Sequence, residues 1–490
     1  MHVLKASSLV WSVSLIGIII GVIQTRVLAT QLGPEGIGLY GQCLALLAVL
    51  QMPIGNGLLN AAVRYVAASH VQHDYATTHR LIAHTQTLVL LTVAVLGGAL
   101  LMTAPYLAAA TLGSAEQGGL IVLLALGLPC AAAASTLQAF LRAFERIDYW
   151  AVASAVPLVL GLPLLVGLVL LFGLYGALLQ ISLLGLITAT IGLLLYRRIP
   201  VVREGPLLAL RLDRTILRQL LMFGGVHLVT SASFAGSFVV ARSLVIHGQG
   251  LEAAGLYQVV LSISMQYLGI ALFSLTVYWY PHISALAEDE AVIAATNLFL
   301  RVALFTITPL LVGVVLLRDI LITLVYGPDF AAAAVLILWQ APGDYLRIIS
   351  SILAVPILTG MQLRAYLLIG VGRDICFLSL FAVLLVNAGL IGGAVAYLLV
   401  NVLTVGVVLV YQRHWISFRF TPANLRLIAS SSAVLLLALG AAQLPLLVAL
   451  PLVGGAALVA LFAATTAAER HFVVQQIGRL RQLVRPSPAE

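Results

Sequence analysis

The chain has 490 residues, 62% of them hydrophobic and only 9% charged, with a formal net charge of +8. A soluble domain carries about 25% charged residues, so these proportions exclude a large soluble enzyme. They also exclude a disordered chain, because disorder requires low hydrophobicity. What remains is an all-α, polytopic membrane protein whose solvent is the bilayer. The excess of arginine reads as topology rather than as nucleic-acid binding, since cations gather on cytoplasmic links. Cys43, Cys130 and Cys376 are odd in number, far apart and set in apolar runs. Neither a disulfide framework nor a metal site is expected from them, and no cofactor is called for.

A spanning helix needs about 20 apolar residues, and about fourteen segments of this kind follow one another. The first six lie near 9–30, 39–66, 81–110, 118–141, 149–172 and 174–196. Six more lie near 218–246, 253–284, 292–317, 331–360, 365–387 and 390–411, and the last two near 425–442 and 447–467. The runs are continuous and lack the ten-residue alternation of a membrane β-barrel.

Charge on the links alternates. Arg80 follows span two, Arg142 and Arg146 follow span four, and Arg197, Arg198, Arg203, Arg211 and Arg214 follow span six. The links after spans one, three, five, seven, eleven and thirteen have no lysine or arginine. The positive-inside rule then places both termini in the cytoplasm. Two links fit poorly: the one after span eight is acidic (Glu288, Asp289, Glu290), and the one after span nine begins with Arg318.

The chain also repeats itself. Gly38-Leu39-Tyr40 recurs as Gly255-Leu256-Tyr257, Gly173-Leu174-Tyr175-Gly176 as Gly389-Leu390-Ile391-Gly392, and Arg26 as Arg242. Tyr196-Arg197-Arg198 likewise recurs as Tyr411-Gln412-Arg413, and the offset stays at 215 to 217 residues. Spans one to six and seven to twelve therefore read as two homologous six-helix lobes, parallel because six is even. The expected organisation is a lobe at 1–198, a basic cytoplasmic link at 199–217, a second lobe at 218–413, and two extra helices with a basic tail at 414–490.

Two equivalent bundles suggest alternating access about a central site. All links are short, and no Walker A loop occurs, so direct ATP drive is not expected. Charged residues inside spans become the site candidates, because a charge at the centre of a bilayer costs at least about 2.5–3.5 kcal/mol. Asp344 and Arg347 share a face of span ten at i, i+3. Arg373 and Asp374 lie in span eleven, Arg301 in span nine, and Arg26 and Arg242 toward the outer ends of spans one and seven. For each pair two readings stay open: a neutralised structural pair or a functional one; for Arg26 and Arg242 the alternative is snorkelling to headgroups. Arg64 lies near the cytoplasmic boundary, where orientation signals are common. Gln42 and Asn60 in span two and Gln258 in span eight could bind sugar hydroxyls or link helices. Cations outnumber unpaired acids, which suits phosphate or pyrophosphate, whose oxygens match arginine's planar fork.

Gln31-Leu32-Gly33-Pro34-Glu35-Gly36-Ile37-Gly38-Leu39-Tyr40 and Gly57-Leu58-Leu59-Asn60-Ala61-Ala62-Val63-Arg64-Tyr65, with Tyr326-Gly327-Pro328-Asp329-Phe330 before span ten, resemble the Wzx-type polysaccharide flippases. These belong to the multidrug/oligosaccharidyl-lipid/polysaccharide exporter superfamily, and the likeness covers about residues 1–420. The resemblance implies movement of an undecaprenyl-pyrophosphate-linked oligosaccharide from the inner to the outer leaflet of the bacterial inner membrane, without enzymatic chemistry. On this reading Arg26, Arg242, Arg301 and Arg347, with Arg64, Gln42, Asn60 and Gln258, would contact substrate. Asp344, Asp374 and Arg373 would pair charges or carry a coupling ion, a proton or sodium. Membrane lipids and glycan polymerase machinery are the expected partners, and nucleic acid is not. A multidrug/cation antiporter of the same superfamily and a membrane-embedded glycan polymerase or glycosyltransferase are the alternatives.

Overall fold

The computed structural model describes residues 2–203 and 214–464. Most of the basic link expected at 199–217, and the basic tail beyond 464, lie outside those residues. Twelve α-helices occur among the described residues, and no strand. They are α1 (His2–Met52), α2 (Asn60–Val71), α3 (Tyr75–Leu112), α4 (Gly118–Ala143), α5 (Ile147–Tyr196) and the short α6 (Pro200–Arg203). There follow α7 (Arg214–Ser284), α8 (Asp289–Val325), α9 (Ala334–Thr359), α10 (Leu363–Ile416), α11 (Pro422–Ala441) and α12 (Leu446–Ala464).

Several of these are too long for one crossing. The 50 residues of α5 would extend about 75 Å as a straight helix, more than twice a hydrocarbon core of about 30 Å. They do not run straight. Gly173 breaks α5 at φ 54°, ψ −129°, and Gly389 breaks α10 at φ 59°, ψ −147°. Such backbone is open to glycine because no Cβ meets the neighbouring carbonyl. The arms then fold back on each other: Gln180 Nε2 donates to the Gly161 carbonyl at 3.3 Å, two residues that a straight helix would hold far apart. In α7, broken at Gly250 (φ 88°), Arg242 Nε reaches Gln258 Oε1 at 2.9 Å. Gly33 (φ 64°), followed by Pro34, breaks α1. Each of these four helices is two spans joined by a one-glycine turn, and the full set accounts for the fourteen crossings expected.

The duplication is written into the backbone. Glycines with positive φ stand at 33, 113, 173, 250, 327 and 389, one after each odd-numbered span through the eleventh. The turns after spans two, four, ten and twelve instead use His73, Glu145, Met361 and Ser417 at positive φ. Gly33 matches Gly250, Gly173 matches Gly389, and Glu145 matches Met361. Helices α4 and α9 begin 216 residues apart, at Gly118 and Ala334, as do α5 and α10, at Ile147 and Leu363. A short 3₁₀ segment precedes both α4 and α9.

The two poorly fitting links also find a physical cause. Asp289 and Glu290 occupy the first turn of α8, where the helix dipole favours negative charge. Arg318 donates to the Ala442 carbonyl at 2.9 Å and pairs with Asp319 at 3.3 Å, so it is tied to the last turn of the α11 segment. Within span two, Pro53–Leu59 takes π-helical form, as expected where Pro53, Gly55 and Gly57 interrupt the regular ladder.

Packing divides the chain into two compact units. One comprises Met1–Leu261, Ile322–Leu336 and Leu367–Ala396; the other comprises Ser262–Leu321, Ile337–Tyr366 and Tyr397–Glu490. The first has an apolar core that includes Leu39, Cys43, Ala108, Ile121, Leu128 and Leu178. In the second, Phe299, Leu304, Ile307, Ile348 and Leu353 are buried. Leu171, Leu368, Val386 and Leu447 are among many large apolar side chains left exposed, as lipid-facing helices require.

Candidate substrate and coupling site

The second unit holds the densest polar cluster. Asp344 on α9 is fully buried, and its carboxylate accepts from donors on three segments. Tyr397 on α10 donates to Oδ1 at 2.7 Å, Ser264 on α7 donates to Oδ2 at 2.7 Å, and Tyr267 on α7 also donates to Oδ2. Gln340, one turn before Asp344, completes the set at 3.4 Å from Oδ1. The close approach depends on Gly343, where a methyl group would come within 2.6 Å of the Tyr397 ring. That missing side chain seats the ring so that its hydroxyl meets the next residue's carboxylate.

Arg347 joins the cluster through Tyr397: its Nη1 donates to the Tyr397 hydroxyl at 3.4 Å, with Met265 Sδ at 3.9 Å. The i, i+3 pair expected from sequence is thus bridged by a tyrosine from another span. The guanidinium is half-buried. An acceptor-only carboxylate ringed by hydroxyls and an amide, with a cation one turn away, can hold a small cation or a proton and orient the arginine toward an anion.

Arg301 on α8 is buried, donates to Asn424 Oδ1 on α11 at 3.5 Å and stands 5.6 Å from the Phe305 ring centre. Asn297, one turn earlier, accepts from Asn424 Nδ2 at 2.8 Å and from the Thr421 amide at 3.2 Å. The acceptor of this arginine's Nη1 stands 123 residues away in the sequence.

The first unit holds the other candidates. Arg373 and Asp374 form an ion pair at 2.6 Å, Ser233 donates to Asp374 at 2.7 Å, and the Arg373 guanidinium lies 4.9 Å from the Phe234 ring centre. Arg26 donates to the Thr323 carbonyl at 2.8 Å. Arg242 and Gln258 are bonded to each other. Gln42, fully buried, offers its amide nitrogen to the Thr111 and Val239 carbonyls and to Ser243 Oγ. Arg64 and Asn60 are exposed on α2. Tyr267, Tyr397, Gln340 and Asn424 did not stand out in the sequence. The one available hint was Gly343 beside Asp344, a small residue where a helix must come close. Among the described residues no group of three or more His, Cys, Asp or Glu side chains is placed to hold a metal.

Paired helical hairpins and a succession of long apolar helices define an all-α, polytopic membrane protein. The chain belongs to the polysaccharide biosynthesis protein family, whose model matches residues 3–287. It is 28% identical over 427 residues to the lipid III flippases of Escherichia coli K12 and Shigella flexneri, covering 84% of this chain and all of each relative. In fold it is similar to the lipid II flippase MurJ in an inward closed conformation, with a TM-score of 0.71, 13% identity, and coverage of 96% of this chain and 100% of that one. An inward-facing multidrug resistance MATE transporter gives 0.65 at 15% identity, covering 82% of this chain and 94% of that one.

Proposed function

We propose that the chain moves an undecaprenyl-pyrophosphate-linked oligosaccharide from the inner to the outer leaflet of the bacterial inner membrane, with both termini in the cytoplasm. The observation that carries this reading is the alignment with lipid III flippases along their entire length. The two six-helix repeats alternate access, and the step is translocation without covalent chemistry. Arg347 and Arg301 are the leading contacts for the diphosphate, since burial strengthens their attraction for phosphate oxygens. A coupling ion, proton or sodium, would be taken at Asp344 among its hydroxyl donors. The exported glycan lipid then passes to polymerase machinery on the outer face.

The test is complementation of a bacterium lacking its own lipid-linked oligosaccharide flippase. The chain restores surface glycan, while Arg347→Ala and Arg301→Ala do not, at unchanged protein level. Wild-type glycan in both variants would remove the arginines from the mechanism. Drug resistance without glycan export would replace the reading with a multidrug antiporter.

A further inference from the structure

We propose that the two repeats are latched to each other at their outer ends by a two-fold-related glycine seam, and that Arg26 and His247 act in this latch. The proposal rests on the topology and transport reading above. Gly38 follows the first turn of repeat one, and Gly255 follows the matching turn of repeat two. A methyl group at Gly38 would lie 2.7 Å from the Leu251 carbonyl oxygen and 2.8 Å from the Gly255 nitrogen. A methyl group at Gly255 would overlap the Pro34 carbonyl oxygen. Pro34 and Leu251 are themselves 217 residues apart, as are Gly38 and Gly255. Each repeat thus presents the same backbone surface to the other, the self-complementary arrangement of a two-fold dimer contact within one chain.

Further cross-repeat contacts flank the seam. Gln42 donates to the Val239 carbonyl and Ser243 Oγ at 3.1 and 2.9 Å. Arg26 reaches from span one to the Thr323 carbonyl at the end of span nine, and Gly327, just beyond, leaves room for its guanidinium. On the other half, five residues beyond the Arg242 that matches Arg26, His247 Nε2 on span seven lies 3.0 Å from the Ala109 carbonyl oxygen at the end of span three. There a methyl group on Gly113 would come within 2.9 Å of Ile246. All of these residues belong to the first compact unit, and all lie at the glycine-turn ends of their spans. Release of a headgroup to the outer side requires every one of these contacts to part, so the seam sets how often that side opens.

Two measurements test it, each after replacement of the three native cysteines. With Gln42→Cys and Ser243→Cys, a short bifunctional thiol reagent joins the repeats in membrane-inserted protein. Flipping of a lipid-linked oligosaccharide in vesicles then falls about tenfold or more and returns when the link is cleaved. Failure to link, or undiminished flipping by linked protein, overturns the latch. The second measurement needs no substrate. Labelling of Ser243→Cys by a membrane-impermeant thiol reagent from outside rises about tenfold when Gly255→Ala wedges the seam, and equal labelling overturns the latch. If the uncrosslinked chain flips no such lipid yet the labelling rises as expected, the transport reading fails and the latch stands.

Discussion

Asp344 concentrates the residue-scale chemistry. Its partners all donate, so removing the carboxylate leaves the Tyr267, Tyr397 and Ser264 hydroxyls buried without their acceptor, each at a cost of about 1–3 kcal/mol. Thermal unfolding in detergent therefore shows Asp344→Ala strongly destabilised. Tyr397→Phe, which deletes the bonds to Asp344 and Arg347 but keeps the ring against Gly343, loses less, about 0.6–1.7 kcal/mol for each bond between membrane helices. Outside the spans, Asp74 caps α3 by accepting from the Thr77 amide at 3.0 Å, and hydrogen bonds from the Thr77 side chain and then its amide hold the carboxyl below the ordinary aspartate range. Its stabilisation is complete above the ordinary aspartate pKa and is lost as pH falls through the lowered one. Melting curves of the wild type and Asp74→Ala accordingly differ at neutral pH and converge in acid. Sequence placed Asp344 and Arg347 on one helix face but could not name Tyr267 or Tyr397. Periodicity orients a helix relative to its own axis and says nothing about which neighbouring span fills the space opposite.

At the scale of the element, the hairpins around Gly173 and Gly389 behave as one design used twice. Gly176 and Gly392 face the carbonyls of Leu168 and Leu384, their own opposing arms, so closely that a methyl group would overlap the oxygen. Gly176→Ala and Gly392→Ala each force the arms apart, costing about 1–3 kcal/mol. Gly167→Ala, with nothing within 4 Å, leaves stability unchanged or raises it by up to about 1 kcal/mol. Measured melting temperatures should fall together for the first two and not for the third. These turns were legible because the glycine patterns at 173–176 and 389–392 recur at a fixed spacing. The buried ladder from Asn297 to Asn424 was not, because an asparagine near a helix start is equally well read as a local cap.

For the whole molecule, sequence carried the number of crossings, the duplication and the membrane setting. Those follow from run length and from spacing, which survive without knowledge of contacts. What joins the last two helices to the rest depends on single polar side chains. Asn424→Leu removes one acceptor of Arg301 and both bonds from its amide nitrogen to Asn297. The expected result is faster hydrogen exchange along α11 and α12, with the amides of α4 and α5 unchanged. Equal protection in wild type and variant would mean that the Asn424 contacts do not dock this pair.

The hairpins at 147–196 and 363–412 begin, turn and close at positions in constant register. Exchanging the two coding segments should therefore yield a chain that inserts and folds, because each cassette brings its own reversal and its own clearance between arms. Such transplants would divide the residues that build the scaffold from those that make one half different from the other, without any alignment of relatives.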